Sequence, residues 1–159
     1  MKMTHIAIGL SDETRKVVSQ KLSHILGNQF LLYIKTLKFH WNVRGSDFKP
    51  LHLFFEEQYE DLLEMVDEVA ERIRALGHMA PGTAQEYLKT AEIVENPGEN
   101  PHEKGMLEIL LHDHEIIIRL IRKEVDATME LGDAGTNNFL CDMMERHEKM
   151  AWMLRAFLE

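Results

Sequence analysis

The sequence is short of the residues that staple a fold, span a membrane or bind polyanions. Cys141 is its single cysteine, which excludes a disulfide framework and any cysteine-held zinc or iron–sulfur site. No apolar run approaches the length of a membrane span. Residues 1–10 lack the charged start, apolar middle and cleavage site of a signal peptide, so a reduced, cytoplasmic setting is expected. There is no glycine-rich phosphate loop and no Gly-x-Ser-x-Gly elbow. Positive charge is also scarce: 18 Lys and Arg stand against 27 Asp and Glu, a net charge of -9. A broad nucleic-acid surface is therefore disfavoured.

The negative charge is concentrated. Eight acids and no Lys or Arg lie between Glu56 and Glu71, leaving 19 acids against 18 bases in the rest of the chain. A near-neutral chain with one dense anionic stretch is built to meet a cation. The chain is otherwise ordinary, with 159 residues and 45% hydrophobic content, enough for one domain with its own core.

Apolar residues recur at helical spacing, and no segment reads as a strand. A first helix starts at Ser11 and stops in Trp41–Gly45. Its predicted stripe is Leu22, Leu26, Phe30, Tyr33, Leu37 and His40. A second stripe runs Leu51, Phe55, Tyr59, Leu62, Val66, Val69, Ile73 and Leu76, closed by Gly77, with Pro50 in its first turn. Residues 77–101 hold three of the four prolines and form a crossover with room for a short helix at Ala84–Thr90. A third long helix buries Leu107, Leu110, Ile117, Ile121 and Val125. The fourth buries Phe139, Met143, His147, Met150, Leu154 and Phe157. Short outer connections around a long middle one predict an all-α, ferritin-like four-helix bundle in a single domain, 1–159, with a short tail at 1–10.

His52 and Glu56 are four apart and share a helix face, as do Asp67 and Glu71. Glu56 and Asp67 lie roughly 16 Å apart along one helix, too far for one ion. The pairs meet only if a second copy of this helix lies antiparallel, which gives two identical sites per two-fold dimer. His40 can approach from the preceding helix. Two imidazoles with carboxylates suit Fe(II) or Zn(II) better than Ca(II) or Mg(II). The bundle interior offers no di-iron signature, because the only Glu-x-x-His is Glu99–His102, in the crossover. His112 and His114 point to different faces and read as structural. His147 reads as a hydrogen-bonded core or interface residue, Trp152 as packing and Cys141 as a small buried side chain.

His40-Trp41-Asn42-Val43-Arg44-Gly45, Phe48, Leu51-His52, Glu56 and Asp67-Glu68-Val69-Ala70-Glu71-Arg72 resemble the signature of the Dps family, the dodecameric mini-ferritins. Leu76-Gly77, Pro81-Gly82-Thr83, Asp133–Thr136 and His147–Glu159 extend the likeness over nearly the whole chain. The resemblance implies a ferroxidase that oxidises Fe(II), preferentially with hydrogen peroxide, and stores ferric mineral in a hollow homododecamer built from antiparallel dimers. It implies catalytic ligands His40 and His52 from one subunit with Asp67 and Glu71 from another. Glu56 is a further ligand at a position where the family often has Asp. Up to two irons occupy each interface site, and zinc can substitute.

The resemblance makes Trp41 a candidate redox-assisting residue. Asp126, Glu130 and Asp133 become candidate pore residues, with Asn138 where relatives often carry Asp. Relatives that coat DNA carry a basic tail, whereas residues 1–10 hold only Lys2 as a fixed positive charge, so weak or absent DNA binding is expected. The alternative is a structural, nucleoid-associated or surface-interaction protein using the same shell with little catalysis.

Overall fold

The computed structural model describes residues 6–159, and residues 1–5 of the expected tail lie outside the described residues. Five helices follow in order: α1 Asp12–Asn42, α2 Phe48–Ala75, α3 Ala84–Thr90, α4 Glu103–Glu130 and α5 Ala134–Ala156. No strand occurs among the described residues. α1 pairs with α2 and α4 with α5, and the two hairpins close into a bundle through α1 against α4 and α2 against α5. The fold is the all-α four-helix bundle with a short extra helix in its crossover.

Local chemistry sets the helix ends. Ser11 Oγ accepts the Thr14 amide at 3.0 Å and caps α1, where Asp12 and Glu13 also suit the dipole. α2 ends at Leu76. Gly77 then takes φ +91°, its amide donates to Arg74 O, and the His78 amide donates to Ile73 O. Gly132 repeats this pattern after α4, and both turns need a residue free of a Cβ penalty. Thr83 and Glu86 form a reciprocal capping box that starts α3.

The crossover is tied to α1 by polar groups. Asn28 Oδ1 accepts the amides of Glu92 and Ile93 at 2.9 and 3.0 Å. Lys35 donates to Val94 O and, at 2.5 Å, to the buried Asp113 of α4. Burial pushes the Asp113 carboxyl above the usual range, and Lys35 works against that shift.

The predicted stripes describe the core with informative exceptions. Leu51, Phe55, Leu62, Val69, Ile73 and Leu76 are buried as expected, but Tyr59 is only half-buried and turns toward α1. On α1 the buried face centres on Val18, Leu22, Ile25, Leu32 and Phe39, while Phe30, Tyr33 and Leu37 stand at its margin. Val125 and Phe139 are half-buried, and Phe157 is exposed. Trp152 is exposed and Cys141 half-buried, so neither is core filler.

Candidate metal centre

His40 sits in the last turn of α1 and His52 in the second turn of α2, with the Val43–Asp47 turn between them. The turn folds the helices face to face, and the two imidazoles stack with centroids 3.8 Å apart and planes 20° from parallel. Each ring bonds to the other residue's backbone. His40 Nδ1 lies 2.8 Å from His52 O, and His52 Nδ1 lies 2.9 Å from His40 O. A carbonyl can only accept, so both Nδ1 atoms carry the proton. In that tautomer the lone pair of each ring is on Nε2. Imidazoles that bind metals are commonly fixed this way, by a second-nitrogen bond to a carbonyl. Phe48 stacks on the outer side of His52 at 5.1 Å and limits its rotation further.

Glu56 stands one turn beyond His52 and is half-buried. The Tyr59 hydroxyl reaches Glu56 Oε1 at 3.4 Å, and the Tyr59 ring meets His40 edge-on at 5.2 Å. Burial, with Glu56 and Glu60 nearby, holds the Tyr59 phenol above its ordinary pKa. Tyr59 therefore touches two of the expected ligands. Sequence reasoning missed it by placing it in the core stripe. The available signal was its position three residues after Glu56, one helical turn along the same face. Trp41, the expected aromatic helper, is 68% exposed in the single chain.

Asp67 and Glu71 are exposed further along α2. Helical spacing puts His52, Glu56, Tyr59, Leu63 and Asp67 on one side of that helix. The same helix exposes three large apolar side chains, Phe48, Leu53 and Leu63. Among the described residues of one chain, no three His, Cys, Asp or Glu side chains converge on a point that could hold a metal. One chain brings His40 and His52 together, with Tyr59 touching both His40 and Glu56, and leaves Asp67 and Glu71 exposed further along α2.

The other acids of α2 divide. Glu64 and Glu68 reach Arg146 of α5 at 3.2 and 2.7 Å, while Glu57 and Asp61 line a groove with Lys149 and Met153. Of the three pore candidates, Asp126 and Glu130 are exposed. Asp133 is buried as the N-cap of α5. It accepts the Thr136 amide at 2.9 Å and hydroxyl at 2.6 Å, and Arg72 bonds it at 3.2 Å. Its carboxylate is occupied by the α4–α5 corner.

The ferritin-like domain family matches residues 19–159. A low temperature-induced protein of a Nostoc species is 44% identical, covering 99% of this chain and 88% of that protein. A DNA protection during starvation protein of Bacillus anthracis is 36% identical, covering 90% of this chain and 97% of its own. Among solved structures, the Dps protein of Vibrio cholerae, described as a ferritin-like diiron-carboxylate protein, superposes with a TM-score of 0.92. It is 32% identical, and the match covers 100% of this chain and 99% of that one. The bundle is thus a ferritin-like domain. Within that class, the chain belongs to the Dps family.

Proposed function

We propose that this protein is a ferroxidase and iron store whose oxidation site is completed only between subunits. Two chains pack antiparallel along α2, so that His40, His52 and Glu56 of one face Asp67 and Glu71 of the other, twice per dimer. Six such dimers form a hollow shell, as in the family resemblance, and ferric mineral accumulates inside. The observation that carries this reading is the reciprocal pair of imidazole–carbonyl bonds, which engages both Nδ1 atoms and commits neither ring to a structural task through Nε2. The exposed Phe48, Leu53 and Leu63 support burial of this face in an assembly.

The donor set fits Fe(II): borderline imidazoles with hard carboxylates, and few enough ligands to leave positions open for oxidant. Peroxide takes two electrons and two protons to become two waters, so two Fe(II) are oxidised for each peroxide consumed. Stacking and backbone bonds hold the imidazoles before metal arrives, so little reordering is needed on binding. Tyr59 braces Glu56 and His40 from the inner side. Zinc, with the same ligand preferences and no redox chemistry, occupies the site and blocks it. Asp126 and Glu130 remain candidates for an iron-entry pore. Operation in the cytoplasm, away from any membrane, fits the sequence. No helix among the described residues is long and apolar enough to cross a bilayer.

The test is anaerobic loading with Fe(II) followed by peroxide. Ferric absorbance should rise quickly and stop at about two Fe(II) per peroxide, with no hydroxyl radical trapped. A stoichiometry near one, with radical adducts, would reject the ferroxidase reading.

DNA should bind weakly or not at all. A shell of subunits each bearing -9 repels phosphates at moderate salt. Gel shifts with duplex DNA at neutral pH should leave free DNA in place. Tight complexes would instead favour the nucleoid-coating alternative, which no observation in this structure supports.

A further inference from the structure

Beneath the crossover, between α1 and α4, lies a cavity of about 240 Å³ that the interface site does not use. Its floor is Ile34 and Phe39 of α1 with Ile109 of α4, and its lid is the crossover around Pro97 and Pro101. The lid has a defined shape. Pro97 and Gly98 form a turn in which Gly98 takes φ +81° and the Glu99 amide donates to Asn96 O at 3.3 Å.

Two lysines of α1 line the same cavity. Lys35 is 8% exposed, donates to Val94 O and is neutralised by Asp113 at 2.5 Å. Lys38 is half-buried and has no such partner. It donates to Asn96 O at 3.1 Å and Glu99 O at 2.7 Å, the two ends of the turn. An ammonium carries three N–H groups, so one is left over. Among the described residues no carboxylate pairs with Lys38; Glu95 and Glu99 line the cavity but are exposed, where water and salt screen their charge. Tying down the turn needs two donors and no charge. The cation beside an apolar hollow is therefore unexplained by its structural bonds, and its desolvation has a cost.

Charge and size identify what would fit. An anion offsets the Lys38 charge, and a carboxylate accepts its third N–H in a charge-assisted bond. The rest of the ligand must be apolar to match the isoleucines, Phe39 and the prolines. A cavity of about 150 Å³ holds benzene, so this one has room for a single ring and a short acid-bearing arm. A concave apolar site with a few placed polar groups is the usual form of a small-molecule site.

We propose that this cavity binds a small organic carboxylate with a compact apolar body, its acid on Lys38 and its body between Phe39, Ile109 and the lid. His40 lies two residues further along α1, roughly 200° around the helix, and turns to His52 of α2. The cavity is thus separate from the interface site, and the proposal does not rest on the ferroxidase reading.

The experiment is calorimetric titration of the assembled, metal-free protein with phenylacetate, beside its neutral analogue phenylacetamide and the cation 2-phenylethylamine. Phenylacetate should bind once per chain with a Kd of about 1 mM or below. The amide and the amine should each bind at least about tenfold more weakly. Lys38→Met keeps the aliphatic stem and removes the charge, and should weaken phenylacetate at least about tenfold. Ile109→Phe leaves Lys38 in place, fills the hollow and should abolish binding. Both variants are assayed as folded, assembled protein. No binding of phenylacetate at 10 mM, roughly ten times the expected Kd, would overturn the proposal. So would equal binding of the acid and the amide, or binding that either variant leaves unchanged.

Discussion

Replacing His40 and His52 together with Ala should slow peroxide-driven Fe(II) oxidation about a hundredfold or more, while the shell still assembles. In the proposed site the variant removes both nitrogen ligands and leaves Glu56, Asp67 and Glu71 in place. Loss of outer-shell support alone commonly lowers metal affinity or activity 10- to 100-fold, so loss of two ligands should sit at or beyond that range. The structural penalty is smaller. Two bonds to backbone carbonyls disappear, and both are near the exposed α1–α2 turn, so about 1–3 kcal/mol is expected. Thermal melting and sizing of the shell separate the two effects. A variant that assembles, melts slightly lower and oxidises Fe(II) at the unsubstituted rate would remove the assignment of these residues.

Acid should destabilise the fold well above the pH at which carboxylates titrate. Burial holds His114 down to about 3 from the usual 6.5, and it pushes His147 well below the usual value as well, with His114 and Arg146 adding to the shift. Both rings are neutral in the folded chain throughout the mildly acidic range. In the unfolded chain they take up protons as pH falls through about 6.5. The unfolded state therefore binds more protons than the folded state, and stability falls as pH drops below about 6.5. Above that pH the two residues contribute no slope.

For His114 the loss is complete near pH 3 and reaches as much as about 5 kcal/mol, at 1.36 kcal/mol per pH unit. Together the pair should make unfolding take up close to two protons per chain between pH 5 and 6. Denaturant unfolding across that interval measures the slope directly. A stability independent of pH from 7 to 5 would mean that the two rings are not held neutral in the core.

The sequence carried the fold because its local and global signals agree. Ser11, Gly77, Gly132 and the Thr83–Glu86 box mark helix ends with the chemistry that helix ends require, and the apolar spacing between them has one period. The candidate ligands were legible for a similar reason. His52 with Glu56, and Asp67 with Glu71, repeat a four-residue offset, and helix rise forbids their meeting within one chain. What spacing does not encode is which polar atom a side chain spends its bonds on. Asp133 belongs to an acidic run leading into the last helix, yet its partners, Thr136 and Arg72, show a capping carboxylate. Tyr59 fits an apolar stripe because its ring is apolar, and only the packing of α1 on α2 shows its hydroxyl at Glu56. His114 and His147 lie 33 residues apart on different helices, so their contact depends on how α4 and α5 pair.

Subunit sharing is the central claim, and mixing two inactive variants tests it most directly. One chain carries His40→Ala and His52→Ala, and the other carries Asp67→Asn and Glu71→Gln. Each alone forms shells in which every site lacks two of its five proposed ligands. Co-assembled at equal amounts, about half of the interfaces pair the two variants, and in each of these one of the two sites joins intact His to intact Asp and Glu, about a quarter of all sites. Peroxide-driven Fe(II) oxidation should recover to about a quarter of the unsubstituted rate. Mixed shells as inactive as their two parents would contradict a site completed across the interface.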